Sequence, residues 1–284
     1  MARLADVLLK TRQLFRHEKI DNADLDARLL VQFATSTTRM DEILNPDRLV
    51  RDDEQQQLDK VIAQRLGGMP VYRIIGKREF FGIEFLLSKD TLEPRADTET
   101  LVNLILPVLE KQVQNKQSAR FLDMGTGTGA IAIAALAHVK HTYATAVDIS
   151  DDALATARIN AENAGVGKRF TALKSNWFDN VTGRFDLIVS NPPYIREQDI
   201  VGLAREVREH DPRRALAGGE DGLYFYRKLA RESACILACD GRIAVEIGKG
   251  QESDVIKLFD EAGFKHVDTR KDLNGISRAL LFGH

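Results

Sequence analysis

The chain has 284 residues, of which 44% are hydrophobic and 29% charged, with a formal net charge of −2. That length fits about two domains of ordinary size and a sizeable core, and no apolar run approaches the roughly 20 residues a bilayer crossing needs. A charge so close to neutral gives no overall attraction to a polyphosphate backbone, so neither membrane residence nor a dominant nucleic-acid surface has support.

The opening stretch, MARLADVLLKTRQLFRHEKI, mixes basic residues with Asp6 and Glu18 and lacks both a continuous apolar segment and a small-residue cleavage site. A cytoplasmic protein is expected. Through residue 72 no strand pattern occurs; apolar residues recur at helical spacing in LADVLLKTRQLF, ADLDARLLVQFA and QQQLDKVIAQRL. The expectation is a small helical domain over 1–72, a docking or stabilising module. Asp21 or Asn22 can cap its second helix and Asp52 its last, with Gly67, Gly68 and Pro70 ending it.

A hairpin linker follows over 73–95, where REFFGIEFLLS reads as two short strands split by Gly82. A third segment, 96–284, then follows with a different pattern. Asp97 or Thr98 can cap a helix in TLVNLILPVLE, which Pro107 should kink or stop early. From residue 119 strand and helix alternate: RFLDM, GAIAIAALAHV, YATAVDI, DDALATARINAENAG, RFTALKS, RFDLIVS, a helix over 221–239, GRIAVEI, a helix over 251–262, and terminal strands in FKHVDTR and SRALLFG. Such alternation implies an α/β domain with a parallel sheet covered by helices on both faces. Cys235 and Cys239 fall in the 221–239 helix and are expected to pack against the core. His138 and His141 are the only close histidines, so no metal site is expected.

Chemistry concentrates at two turns. In DMGTGTGA, residues 123–130, glycines at the first strand-to-helix turn let backbone approach a ligand with no Cβ in the way. Asp148, 19 residues beyond Gly129, ends the second strand, where a carboxylate can accept from both hydroxyls of a ribose. Together they predict a nucleoside-containing cofactor but do not choose one, because Gly125, Gly127 and Ala130 also satisfy a permissive dinucleotide pattern.

The fourth strand discriminates. In a doubly wound sheet the order reverses beside the first strand, and the crevice lies at the carboxyl ends of strands one and four. There the sequence reads FDLIVSNPPYI. An amide or exocyclic amino nitrogen is a poor nucleophile because its lone pair is delocalised. If the Asn191 side-chain oxygen and the Pro192 carbonyl each accept one N–H of an NH₂ group, they favour positive charge developing on nitrogen and aim its electron density at an activated methyl. Pro192 and Pro193 restrict the backbone around these acceptors, and Tyr194 can stack on a planar acceptor group.

These residues resemble a known family, the protein-(glutamine-N5) methyltransferases of peptide chain release factors, also called HemK or PrmC. The resemblance covers nearly the whole chain: the helical N-terminal domain, REFFGIEF, LEPRADTE, DMGTGTGAIAIA, AVDIS, SNWF, SNPPYI and EVREHDPRRALAGGEDGL. It implies a Rossmann-like class I methyltransferase domain, joined by the β-hairpin to the helical domain. The implied reaction uses S-adenosyl-L-methionine to methylate the Gln of the release factors' Gly-Gly-Gln loop. It further implies that Gly125, Thr126, Gly127, Thr128 and Gly129 line the methionine part of the cofactor, that Asp148 holds the ribose, and that Trp177 borders the adenine. Asn191, Pro192, Pro193 and Tyr194 would receive the glutamine amide. Ala96, Met124 and Asn176 stand where the family often has Pro, Leu and Asp. Arg95 is expected near the cofactor pocket or paired with Glu99, and Glu246 as a sheet-end carboxylate near a helix N-terminus.

Three other readings compete. An adenine-N6 methyltransferase for DNA or RNA would use the same Asn-Pro-Pro-Tyr chemistry on a flipped base. A non-enzymatic adaptor has no need of that motif, and a nicotinamide oxidoreductase leaves it unexplained. Acids at Asp21, Asp24, Asp26, Asp52, Asp53 and Glu54 suit a protein partner for the helical domain better than a nucleic acid, and a monomer is expected.

Overall fold

The computed structural model describes residues 1–284, which divide into two compact units, Met1–Gly76 and Lys77–His284. The first holds α1 (Leu4–His17), α2 (Ala23–Thr35), α3 (Arg39–Leu44), α4 (Asp52–Leu66) and α5 (Val71–Ile75). Helical structure therefore extends past residue 72. The apolar stripes of the three longer helices form the core, with Leu4, Val7 and Phe15 meeting Ala27, Leu30 and Val31 and then Leu58 and Val61. Within this core Arg65 Nε donates to Asp26 Oδ2 at 2.7 Å, with both side chains 5% exposed. Losing either partner would strand a buried charge.

Helix starts differ from expectation. Asn22 is the residue before α2 but makes no side-chain cap, and Asp52 is the first helical residue of α4, where its charge suits the helix dipole. The carboxylate of Glu54 instead reaches back to the Arg51 N–H at 2.9 Å. α4 ends at Gly67.

The second unit opens with an antiparallel hairpin, β1 (Lys77–Phe80) and β2 (Ile83–Leu86). It continues with α6 (Glu99–Lys116), β3 (Ala119–Met124), α7 (Ala130–His138), β4 (Thr142–Asp148), α8 (Asp151–Asn163), β5 (Phe170–Lys174) and β6 (Phe185–Ser190). Then come α9 (Arg205–His210), α10 (Tyr224–Glu232), β7 (Leu237–Glu246), α11 (Glu252–Glu261), β8 (Lys265–Lys271) and β9 (Ser277–Gly283). The seven-stranded sheet runs β5-β4-β3-β6-β7-β9-β8. Strands β5 to β7 are parallel, while β9 lies antiparallel to both β7 and β8. Alternating side chains feed two cores: Phe121 joins α6, α7 and α8 on one face, and Leu122 joins α10 and α11 on the other. The order reverses between β3 and β6, which places a crevice at their carboxyl ends.

Two local expectations fail for tertiary reasons. α6 is preceded by a 3-10 turn at Ala96–Thr98 without a side-chain cap, and it runs through Pro107, because Leu101, Leu104, Ile105 and Leu109 are buried on both sides of the proline. The helix expected over 221–239 stops at Glu232. Leu237 is drawn into the sheet opposite Phe185, a register shift follows before Leu187 pairs with Arg242, and both cysteines are left exposed rather than in the core.

Candidate active site

The carboxyl ends of β3, β4 and β6 open on a cavity of about 300 Å³. Its walls include Gly125, Thr126, Gly127 and Thr128 from the turn after β3, Asp148 from the end of β4, and Trp177, Asn191 and Pro193. Gly129, Pro192 and Tyr194, also singled out from the sequence, do not line it. Gly129 sits at φ +83°, and a Cβ there would come within 2.7 Å of Ile133 Cδ1 and 3.2 Å of Ala157 Cβ, so this glycine serves the packing of α7 on α8. Gly125 and Gly127, at φ +75° and +55°, have nothing within 4 Å of their Cβ positions. Their missing side chains leave open space for a ligand.

The glycine turn is fastened to the strand beside it. Gly125 and Thr126 both donate backbone N–H to Val147 O at 2.9 Å, and Gly127 N donates to Asp148 Oδ2 at the same distance. The other carboxylate oxygen, Oδ1, accepts from Ser150 N at 2.9 Å. Each oxygen keeps a lone pair, so the carboxylate is oriented by the chain and can still accept hydroxyl donors from the cavity. Beneath the turn, Asp123 is fully buried; Thr126 Oγ1 donates to its Oδ2 at 2.7 Å and Oδ1 has no partner. Burial, aided by the nearby Asp148 charge, pushes this carboxyl up to about 6. Asn160, fully buried on α8, donates to Thr128 O at 3.0 Å and exchanges hydrogen bonds with the backbone of Leu86, tying the turn to the hairpin.

Trp177 adopts φ +56° and stacks on Phe225 with 4.7 Å between ring centroids and 19° between planes. Half-exposed Ile149 completes an apolar wall beside Asp148. Asn176 also lines the cavity and donates through Nδ2 to Asp179 at 3.2 Å. Arg95 is at the rim, but its partner is Asp211 at 2.7 Å and not Glu99, whose carboxylate accepts from the Phe81 N–H.

The turn after β6 is braced from several directions. Ser190 Oγ donates to Met124 O at 2.7 Å, locking the ends of β6 and β3 together. Asn191 Nδ2 donates to Thr98 Oγ1 at 3.2 Å. Gln251 Nε2 donates to both Tyr194 O and Gly222 O, at 3.1 and 3.2 Å. A Cβ on Gly218 would lie 2.7 Å from both Pro193 O and Tyr194 Cα, and one on Gly222 would lie 2.5 Å from Tyr194 O. These two glycines let the AGGEDG segment lie directly on the backbone of the turn. Tyr194 Oη stands 3.5 Å from Glu246 Oε1, and burial beside that acid raises the phenol's pKa. Glu246 itself ends β7, where the Tyr226 hydroxyl donates to its backbone carbonyl at 2.8 Å.

Thr98, Gly218, Gly222, Phe225 and Gln251 were not anticipated. The paired glycines in AGGEDG were the one available sequence signal; the rest act through contacts distant in the chain.

Residues 97–237 match the family model of the methyltransferase small domain, and residues 6–76 match the PrmC N-terminal domain. The release factor glutamine methyltransferase of Agrobacterium fabrum is 45% identical over 97% of this chain and 95% of its own length. The chain belongs to the release factor glutamine methyltransferase family. The family member from Rhodospirillum rubrum is 43% identical over 90% of this chain and 77% of its own, and that from Bradyrhizobium diazoefficiens 40% over 93% and 89%. Among solved structures, the hMettl16 catalytic domain in complex with an RNA hairpin superposes with TM-score 0.56 at 18% identity, covering 78% of this chain and 81% of that one. A methyltransferase from Pyrococcus furiosus gives 0.51 at 19%, covering 80% and 100%. Likeness at that identity speaks for the fold alone.

The cavity suits the cofactor this family implies, S-adenosylmethionine. It offers an oriented carboxylate beside an apolar wall for a nucleoside, then a glycine turn with open Cβ positions, and finally Asn191.

Proposed function

We propose that the protein methylates the side-chain amide nitrogen, N5, of the Gln in the Gly-Gly-Gln loop of peptide chain release factors. The observation that carries the chemistry is Asn191, which stands on the cavity wall with its Nδ2 committed to Thr98. Its Oδ1 is then the end left to accept an N–H from an incoming NH₂ group. Asp148 would hold the ribose, Gly125, Thr126, Gly127 and Thr128 the methionine portion, and Trp177 with Phe225 the adenine. S-adenosylmethionine supplies a methyl already activated on a sulfonium, so no strong base is required of the protein.

What the protein adds is geometry. Asn191 Oδ1 and the Pro192 carbonyl accept the two amide hydrogens, which favours positive charge on nitrogen and fixes the direction of its electron density. Pro193 borders the planar group on the cavity wall, and Tyr194, which does not line the cavity, would stiffen the turn from its packed position. The helical unit serves to dock the release factor, and the protein acts as a cytoplasmic monomer without nucleic acid or a membrane; no helix is long and apolar enough to cross one.

Labelled S-adenosylmethionine, offered with release factors, with their loop Gln→Ala variants and with unmethylated DNA, tests the reading. Label is expected on the intact release factor only. Label on DNA alone would overturn it in favour of adenine-N6 transfer.

A further inference from the structure

A fully buried position on a helix is a costly place for asparagine, which favours helices less than alanine and brings two N–H donors and an acceptor oxygen that need partners. Asn160 holds such a position near the end of α8, with 0% exposure. Backbone from two distant segments supplies its partners. Oδ1 accepts from Leu86 N at 2.9 Å, while Nδ2 gives one hydrogen to Leu86 O at 3.1 Å and the other to Thr128 O at 3.0 Å.

The two segments have different tasks. Leu86 ends β2, opposite Lys77 in the hairpin register, and the Asn160 amide takes both its polar groups as the peptide of a neighbouring strand would. A two-stranded hairpin has little stability of its own. This one is seated by that amide and by Phe80 and Phe85, which enter the core shared with α6, α7 and α8. Thr128 is 3% exposed and stands on the cavity wall, in the glycine turn. The peptide joining it to Gly129 is held at both ends, the carbonyl by Asn160 and the N–H by Thr126 O at 2.9 Å. With Gly127 N on Asp148, the turn is pinned from α8 on one side and from β4 on the other.

We infer that Asn160 is a positioning residue for the cofactor: one buried amide sets the Thr128 carbonyl and the end of β2 together, which couples the seat of the hairpin to the shape of the cavity. The inference rests on the reading of Gly125 to Thr128 as the wall for the methionine portion of S-adenosylmethionine. Asn160 does not itself line the cavity, so its effect on the cofactor passes through Thr128. Removing the amide leaves a buried carbonyl without its donor. Rotation of the Thr128–Gly129 peptide toward the cavity relieves that loss, and the missing Cβ of Gly129 keeps the rotation cheap. The wall facing the methionine portion then changes shape. Leu86 loses its partners in the same event, so hairpin and turn loosen together. Reciprocity follows: a ligand that favours the ordered turn favours the seated hairpin by the same factor.

The test uses Asn160→Ala, Asn160→Asp and Phe264→Leu in the full chain. The measurements are calorimetric Kd for S-adenosylhomocysteine, amide hydrogen exchange of the hairpin, thermal unfolding, and kcat and cofactor KM on a release factor. Asn160→Ala should weaken the Kd by about tenfold, the scale of one hydrogen bond, and raise cofactor KM in step. At saturating cofactor kcat should stay within about twofold, since the turn after β6 is held by other bonds. Asn160→Asp keeps an acceptor for Leu86 N but offers Thr128 O no hydrogen, so it should bind as weakly as Asn160→Ala. In the wild type, S-adenosylhomocysteine should slow exchange of the hairpin amides, and that slowing should vanish in Asn160→Ala. Phe264→Leu, in the core on the opposite face of the sheet, should lower the unfolding midpoint and leave the Kd unchanged. A wild-type Kd in either Asn160 variant would overturn the inference, as would an equal loss of affinity in Phe264→Leu, which would mark the effect as general destabilisation. If the Asn160 variants fail to fold, hairpin exchange in the wild type that ignores S-adenosylhomocysteine overturns it instead. Wild-type protein that binds no S-adenosylhomocysteine would sink the reading of the cavity itself, a separate outcome.

Discussion

The close backbone contact at Gly218 yields a quantitative prediction for Gly218→Ala. Gly218 has no positive φ, so alanine meets no conformational penalty there. Space is the obstacle. The new methyl would lie 2.7 Å from Pro193 O, 2.7 Å from Tyr194 Cα and 2.9 Å from Tyr194 C, about 0.7 Å short of ordinary contact at 3.4 Å. All three atoms belong to backbone and cannot rotate away. The 218 segment is itself held, since Gly218 N donates to Ile195 O at 2.8 Å and its carbonyl accepts from Tyr224 N. The strain must move the Asn191–Tyr194 turn, the AGGEDG segment, or both. Overpacking of this kind costs about 1–3 kcal/mol of stability. A shift of several tenths of an ångström at the acceptors lowers turnover by roughly ten- to a hundredfold, since about 1 Å of misplacement costs on the order of a hundredfold. Steady-state kcat on a release factor, calorimetric Kd for S-adenosylhomocysteine, and the unfolding midpoint separate the effects. The expected pattern is reduced kcat with nearly normal cofactor-product binding, because Asp148 and the glycine turn are held by separate hydrogen bonds. Wild-type kcat in Gly218→Ala would refute the claim that this glycine sets the position of the turn.

Three further outcomes are expected. Asn191→Ala should bind S-adenosylhomocysteine normally and lose most turnover; unaltered methylation would remove the amide-acceptor role. Asp148→Ala should weaken cofactor affinity by calorimetry through lost ribose contacts and a freed Gly127 N–H, and unchanged affinity would refute the ribose assignment. Asp123 and Glu246 both titrate higher in the folded state than their ordinary values of 3.8 and 4.5, at about 6 and about 7. The native state therefore holds more protons than the unfolded chain between about pH 4 and 7, and stability contributed by each group falls as pH rises through that window, by on the order of 3 kcal/mol. Urea titrations from pH 5 to 8 should show a shallower loss in Asp123→Asn than in wild type, and parallel slopes would refute the assignment.

The parts of this protein that were legible in its sequence are those whose meaning is local. Glycines one turn after a strand, an acid at the next strand's end and prolines closing a central strand each announce a backbone need within a few residues. Those signals led to the β3–β6 switch point and to most of the cavity. Residues that act by meeting a distant segment announced nothing. Thr98 lies 93 positions from Asn191, and in its own neighbourhood it reads as a helix cap, a role it does not fill. Cys235 and Cys239 misled for the same reason, because helical spacing in RESACILACDG is outweighed by the pairing of Leu237 with Phe185.

The division has a physical consequence for how the site works. Asn-Pro-Pro-Tyr supplies the acceptors and stiffens its own φ angles, but two prolines cannot decide which way an amide points or how far the turn stands from the glycine loop. Those quantities come from Ser190 on Met124, Thr98 on Asn191, Gln251 on Tyr194, and the bare Cα atoms of Gly218 and Gly222. Each brace belongs to a different stretch of chain, so the receptor is assembled only when the sheet, α6 and the segment before α10 have all docked. A variant with the motif intact but one brace removed should accordingly keep its cofactor and lose its chemistry, a separation that loss of the motif itself cannot distinguish from a missing acceptor.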